Sequence, residues 1–436
     1  MQISKNFLLN SKTKSIALLS FICCALVFAL SACSPSAPKN QEAGKDAQKA
    51  ESTPEITFMI PDWGAPTDTM LKEFEEQHKI KVNLIPTSWD DIRNKISTAA
   101  AGNTIAADVY EVDWSWLGEL ASAQWLKEIN LSSEDFKDIP TAQSFTYNDK
   151  LYAVPYANDF RVAYYNKNDY QKVGLQEAPK TWDEAISAAQ KIKEAGLKSY
   201  PISLPGNADE NLTTTILWLS YTRNGKSFND DGSINKESFL DALSLLNKMY
   251  SEKLIDPANM SSSGMDAYRK ITSDDTSFMV GPSSFTSRIT AADSLVNGKV
   301  DPIRLPGKME LAEKTVPFAE AVGISAHTKY PEAAETFVKW YTSKETQIKL
   351  NEELQTIPTR TSVLSQLISE GKIQNAQAML EMAQRVESPF PHGVPVYYAK
   401  MSAAIFNAGN EMLLGKISPE EACSKIDAAV NDLLKK

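Results

Sequence analysis

From residue 55 onward the apolar and polar positions switch repeatedly between two periods. Residues 55–60 read as a short strand that ends in the loop Pro61-Asp62-Trp63-Gly64. Met70, Leu71 and Phe74 then fall on one face of a helix. Ile80, Val82 and Leu84 alternate as a strand, and residues 89–101 form a second helix, with Ile92 and Ile96 four apart and Gly102 as the stop. Residues 107–112 are a third strand. Strands alternating with helices predict a mainly parallel sheet covered on both faces. Ligands of such sheets sit beyond the carboxyl ends of the strands, a position that both Asp62-Trp63 and Asp113-Trp114 occupy.

After Tyr152-Ala153-Val154-Pro155 the pattern changes. Thr181-Trp182-Asp183-Glu184 is a capping box that starts a helix ending near Gly196, and a long helical stretch is expected to about residue 254. Phe278-Met279-Val280 is a strand closing on Gly281-Pro282, and residues 322–325 are another. Pro331 opens a helix at its first position, and Ser418-Pro419-Glu420-Glu421 caps a helical C-terminus. The chain has no internal repeat.

The first residues are an address rather than fold. Lys5, Lys12 and Lys14 precede a nearly unbroken apolar run over residues 16–30, and no acid occurs before Glu42. About 15 residues make roughly 22 Å of helix, short of a bilayer's hydrocarbon core. Leu30-Ser31-Ala32-Cys33 resembles the bacterial lipobox, which implies removal of residues 1–32 as a signal peptide and diacylation of Cys33. Residues 33–54 are then the lipidated cysteine and a polar, flexible tether. Cys423 remains as a lone thiol in a helical pattern, most simply a small packed residue.

The length of 436 residues predicts two or three domains, and 42% hydrophobic with 23% charged residues excludes a disordered chain and a polytopic membrane protein. With 45 basic and 55 acidic residues the formal charge is −10, so no basic excess is available for nucleic acid. Removing residues 1–32 takes three lysines and no acid, moving the charge to −13. His78, His327 and His392 lie far apart and the cysteines lack ligand spacing, so neither a metal nor a cofactor is expected.

Several runs, in order, are similar to one family. They are Leu151-Tyr152-Ala153-Val154-Pro155, Tyr165-Asn166-Lys167, Gly174-Leu175, Pro179-Lys180-Thr181-Trp182-Asp183-Glu184, Gly323-Ile324-Ser325, Pro331-Glu332-Ala333-Ala334, Phe337-Val338 and Pro358-Thr359-Arg360. Together with the strand–loop–helix of residues 56–76, they resemble the family 1 extracellular solute-binding proteins of bacterial ABC importers, the group that includes maltose-binding protein. The resemblance implies an α/β, two-lobed periplasmic-binding-protein-like fold (type II). Each lobe would be a mixed sheet flanked by helices, with hinge crossovers between the lobes. Lobe one would hold residues 55–157 plus 318–350, and lobe two 158–317 plus 351–436. A monomer on a lipid anchor, facing the periplasm or the cell exterior, would serve the transmembrane subunits of an ABC permease. Ala319-Glu320-Ala321 departs from the glycines that many members carry.

A neutral sugar offers an apolar C–H face to aromatic rings and hydroxyls to carboxylates, amides and arginine. Trp63, Glu111, Asp113 and Trp114 are candidates at strand ends. Asp113 alternatively caps the helix that follows. Asp159 and Arg161 follow the first crossover, where the resemblance places a hydroxyl-binding acid; the competing reading is a mutual ion pair. Tyr156 is either hinge packing or ligand contact. The resemblance also implies aromatic stacking in the loop Gly281-Pro282-Ser283-Ser284-Phe285, hence Ser284 and Phe285, while Glu320 and Tyr397 come from later crossing segments. Trp89, Trp125, Trp182 and Trp340 are assigned to packing, and Trp218 to the core.

Three functions compete. One is capture of a small carbohydrate for import without transforming it. The second is an exported glycan hydrolase with paired carboxylates, against which stands the lack of a Gly-x-Ser-x-Gly elbow, a phosphate loop or a His-Glu-x-x-His motif. The third is a binder of another solute, such as a polyamine.

Overall fold

A computed structural model describes residues 53–373 and 377–435. The signal segment, Cys33 and nearly all of the tether lie outside the described residues. Eleven strands occur among the described residues: β1 (Glu55–Ile60), β2 (Lys81–Pro86), β3 (Val109–Asp113), β4 (Thr146–Tyr147), β5 (Lys150–Leu151), β6 (Ala153–Ala157), β7 (Arg161–Asn166), β8 (Ile202–Ser203), β9 (Phe278–Pro282), β10 (Val300–Ile303) and β11 (Glu320–Ile324).

The first sheet grows as its local pattern dictates. Ile56, Phe58 and Ile60 of β1 are fully buried, and β1 pairs in parallel with β2 and β3. The crossover helices are Asp68–His78 and Trp89–Ala101. Thr67 caps the first by accepting from the Met70 amide, and Met70, Leu71 and Phe74 face inward. The sheet is mainly parallel as expected, four of its five strands running the same way, and one reversed strand makes it mixed. β11 runs antiparallel between β3 and β6, which gives the order β2-β1-β3-β11-β6. This leaves β6 at an edge, where Pro155 is tolerated because one side of the strand needs no ladder. β4 and β5 form a separate hairpin.

The second sheet has the order β10-β7-β9-β8, with β7 antiparallel to both neighbours and β8 parallel to β9. The expected single helical stretch before residue 254 is two helices, Glu210–Asn224 and Lys236–Ser251. Gly225 ends the first at φ 77°, a left-handed conformation that costs glycine nothing. Trp218 is fully buried and stacks on Trp182 at 5.9 Å. Both predicted capping boxes form, at Thr181–Glu184 and Ser418–Glu421. Cys423 is a buried free thiol.

The chain passes between the sheets after β6 and again before β11. The two passages hold each other: the Phe318 amide donates to the Asp159 carbonyl (2.6 Å), and Phe160 is bridged to Pro317; the Ser283 amide, just after β9, also donates to the Phe160 carbonyl (3.0 Å). A third passage crosses there too, since the Asn158 amide donates to the Ile357 carbonyl and its side chain to the Pro358 carbonyl, both at 2.8 Å. No helix among the described residues is long and apolar enough to cross a membrane.

Candidate solute-binding site

The carboxyl ends of β1 and β3 meet the first residue of β11. Because β11 runs backwards, Glu320 lies opposite Asp113. On its other side Glu320 pairs with Ala157, while Ala321 pairs with Pro155, so Tyr156 is an extra residue in β6. Such a bulge re-aims a side chain. Here the Tyr156 hydroxyl donates to Glu320 Oε2 at 3.0 Å, and Trp63 Nε1 donates to the same oxygen at 2.7 Å. Gly64 permits this approach, since a Cβ there would sit 2.5 Å from the Tyr156 hydroxyl. The Tyr341 hydroxyl donates to the Gly64 carbonyl and fixes the loop from behind.

The carboxyls around this point are electrostatically crowded. Glu111 shares a strand face with Asp113 and is fully buried, with neither carboxyl oxygen partnered. Burial first, and the Glu320 charge second, push its pKa well above the usual carboxylate range. Burial also raises Glu320 to about 8, against the pull of the Trp63 bond. Asp113 is pushed up to about 6 by burial, although Ser115 donates to its Oδ1 through both amide (2.8 Å) and hydroxyl (2.5 Å). Asp113 thus closes the turn before the helix Leu117–Ser122 but is not that helix's cap, which is Trp116.

Asp159 and Arg161 do form an ion pair: Nη1 donates to both carboxyl oxygens at 3.0 Å. The pair is no surface decoration. Arg161 is 3% exposed, its guanidinium lies 4.3 Å from the Phe318 ring centroid, and its Nε has no partner. Burial outweighs the arginine's attraction and leaves the Asp159 pKa raised.

A groove of about 210 Å³ opens beside Asp113. Its walls include Trp89, Ser115 and Trp116, next to the first sheet, and Glu210, Tyr398 and Ser402, on helices that follow β7 in the chain. The two indoles lie 5.1 Å apart and tilted by 35°. Glu210 opens the helix Glu210–Asn224 and accepts from the hydroxyls of Tyr398 and Ser402. Burial pushes its pKa up to about 7. Trp89, half-buried, packs against the core and Trp116 as expected and also lines this groove, and Glu210, Ser115, Tyr398 and Ser402 are wall residues beyond the sequence-derived candidates. The one local signal was the i,i+4 spacing of Tyr398 and Ser402 on a single helix.

The remaining candidates are placed elsewhere. Trp114 is 5% exposed and packs on Phe318, Phe390 and Tyr398. Phe285 is buried edge-on against Tyr268 with Arg288 over its ring, because it opens a helix that faces the core. Ser284 is half-buried beside Ser283, whose hydroxyl donates to the Asn158 carbonyl. Tyr397 is half-buried and lines a separate apolar pocket of about 180 Å³ with Phe228, Phe390 and Leu434. A larger surface cavity of about 580 Å³ lies along β10, walled by residues such as Pro179, Pro302 and Arg304, and takes nothing from the strand ends described above. Among the described residues no group of three or more His, Cys, Asp or Glu could hold a metal ion.

Two α/β lobes with acids and indoles gathered where chain passages cross define a two-lobed binding protein. The chain belongs to the family described as bacterial extracellular solute-binding protein, whose profile matches residues 69–380. It is 22% identical over 386 residues to a "Probable amino-acid ABC transporter periplasmic-binding protein" of Sinorhizobium fredii, covering 84% of this chain and 86% of that one. It is 23% identical over 339 residues to the multiple sugar-binding protein of Streptococcus mutans, covering 70% and 74%. The maltose-bound MalE3 of T. maritima has the same fold, with a TM-score of 0.75 at 22% identity over 87% of this chain and 99% of that one.

Proposed function

We propose that this chain captures a small carbohydrate, mono- or oligosaccharide, between its lobes and delivers it untransformed to the transmembrane subunits of an ABC importer. The observation that carries the reading is the groove in which paired indoles, Trp89 and Trp116, face the acid and hydroxyls of Glu210, Tyr398 and Ser402. Rings suit the apolar face of a sugar, and carboxylates suit its hydroxyls. On this reading Asp113, bonded to the groove residue Ser115, and Trp63, held by Glu320 opposite Asp113, extend the solute's contacts, together with Asp159, Arg161 and Trp114. Lobe one comprises residues 55–157 and 318–354, with the helix Lys344–Leu354 kept whole, and lobe two the rest of the head. The protein works as a monomer, tethered by lipid on Cys33 and facing the periplasm or the cell exterior.

A thermal-shift screen with glucose, maltose, maltotriose, chitobiose and mannitol tests this reading. A bound sugar at 100 times its Kd adds about 2.7 kcal/mol of stability. No rise in midpoint across the panel overturns the carbohydrate assignment. Cleavage of an oligosaccharide that disappears in Asp113→Asn would replace capture with hydrolysis.

One observation favours a second reading, a cationic solute. Asp113, Asp159, Glu210 and Glu320 surround the site, whereas Arg161 is paired with Asp159 and Arg93 with Glu119. Affinity for spermidine that collapses with added salt would select it.

A further inference from the structure

Trp63 is a large ring left 48% exposed in a loop, yet its indole N–H is engaged at 2.7 Å by a carboxyl that belongs to a strand 257 residues later. That carboxyl, Glu320, is the first residue of β11, directly after the passage between the lobes. The bulge at Tyr156 supplies a second donor to the same oxygen. Gly64 and the Tyr341 hydroxyl close the loop around it.

We propose that Glu320 is a positioning residue: it sets the plane of Trp63 before any solute arrives, and it ties that plane to the passage that moves when the lobes open. Stacking on a ring needs a defined ring orientation, and a half-exposed indole held by one rotamer alone would lose it. The neutral carboxyl accepts this bond at lower pH, and once Glu320 ionises above about pH 8 the bond becomes charge-assisted, roughly twice a neutral bond's strength. Trp63 is therefore a preset plate rather than a mobile lid. The inference rests on the reading that the cleft holds a solute.

The test uses 15N-tryptophan-labelled protein without any solute, so its failure leaves the carbohydrate assignment standing, and an empty sugar screen leaves this inference standing. The Trp63 indole signal is assigned by its disappearance in Trp63→Phe. It should lie downfield of a free indole and exchange slowly with water. In Glu320→Ala it should move to the free-indole position, and acrylamide quenching of Trp63 should rise. Glu320→Gln keeps an acceptor oxygen without the charge and should hold the signal where protonation of Glu320 leaves it, between the ionised wild type and Glu320→Ala. The other indole signals should stay in place. A Trp63 signal at the free-indole position in the wild type, or one that does not move in Glu320→Ala, overturns the proposal. Should Glu320→Ala lose its fold, a pH titration of the wild type decides. Protonation of Glu320, which faces Glu111, Asp113, Asp159 and Tyr156, should move the Trp63 signal upfield. A signal indifferent to pH overturns the proposal.

Discussion

Arg161 and Arg360 are both buried, at 3% and 5% exposure, and both sit where chain passages cross, yet their surroundings treat charge in opposite ways. Arg360 donates to the Thr342 carbonyl (2.8 Å), Asp135 (2.7 Å) and Asp138 (3.3 Å). Asp138 also accepts from the Ser362 amide and hydroxyl and from Thr361. These bonds overcome burial and hold its carboxyl below the usual range, while the Ser132 hydroxyl and Arg360 do the same for Asp135. Arg161 has one carboxylate, an unpartnered Nε and two aromatic rings. There burial wins, and Asp159 is raised. A charge network with every partner in place serves the fold. One with partners missing keeps unused hydrogen-bonding capacity, which is the ground for proposing a functional role for Asp159 and Arg161.

The contrast can be broken in four ways. The largest effect is expected from Arg360→Met, which takes the cation from two acids that keep only their hydroxyl and amide partners and should cost about 2–3 kcal/mol in urea unfolding. A loss below about 1 kcal/mol would erase the distinction between the two sites. Next comes pH. Glu320, Glu210 and Asp113 have folded values of about 8, 7 and 6, above their ordinary values near 4. The folded state therefore binds more protons than the unfolded one between about pH 4 and 8, and the stability this gives is lost as pH rises through that window. The thermal midpoint should be higher at about pH 5 than at about pH 8.5, and Glu320→Gln should flatten the slope. A midpoint that climbs over that range contradicts the crowding of acids. Third, Trp63→Ala should leave stability within about 0.5 kcal/mol but weaken the sugar found by the thermal screen about tenfold. Unchanged affinity removes Trp63 from the site. The fourth break replaces the whole Asp159–Arg161 pair with Leu and Met. Replacing an under-satisfied buried pair with apolar side chains should cost about 1 kcal/mol or less, while solute affinity is lost.

What could be read from the sequence was local. The path from β1 through two helices to β3 follows from periods of two and 3.6, and the capping boxes at Thr181 and Ser418 from four residues each. The insertion of β11 between β3 and β6 could not be read, because its partners lie some two hundred residues upstream and antiparallel pairing leaves no local mark. For the same reason nothing local marks Glu210, an acid in a helix's first turn whose partner Ser402 is 192 residues away. Trp89 looked like a packing residue at a helix start, and only Trp116 beside it gives it a second use. An Asp-Trp pair at a strand end fixes where the backbone goes, not which neighbours cover the ring, so the packing of Trp114 on Phe318, Phe390 and Tyr398 was not legible in the sequence.

The rim formed by β6 has a bearing on how many copies can crowd together. Pro155 offers no amide hydrogen, its carbonyl already accepts from the Thr359 hydroxyl (2.9 Å), and the extra residue at 156 puts the strand out of step with any straight template. An open strand border invites a neighbouring chain to dock and propagate. At this border, whose five residues are all buried, a second molecule would find a covered strand, one missing donor, one occupied acceptor and a broken repeat, so crowding of copies would not readily turn into fibrous association.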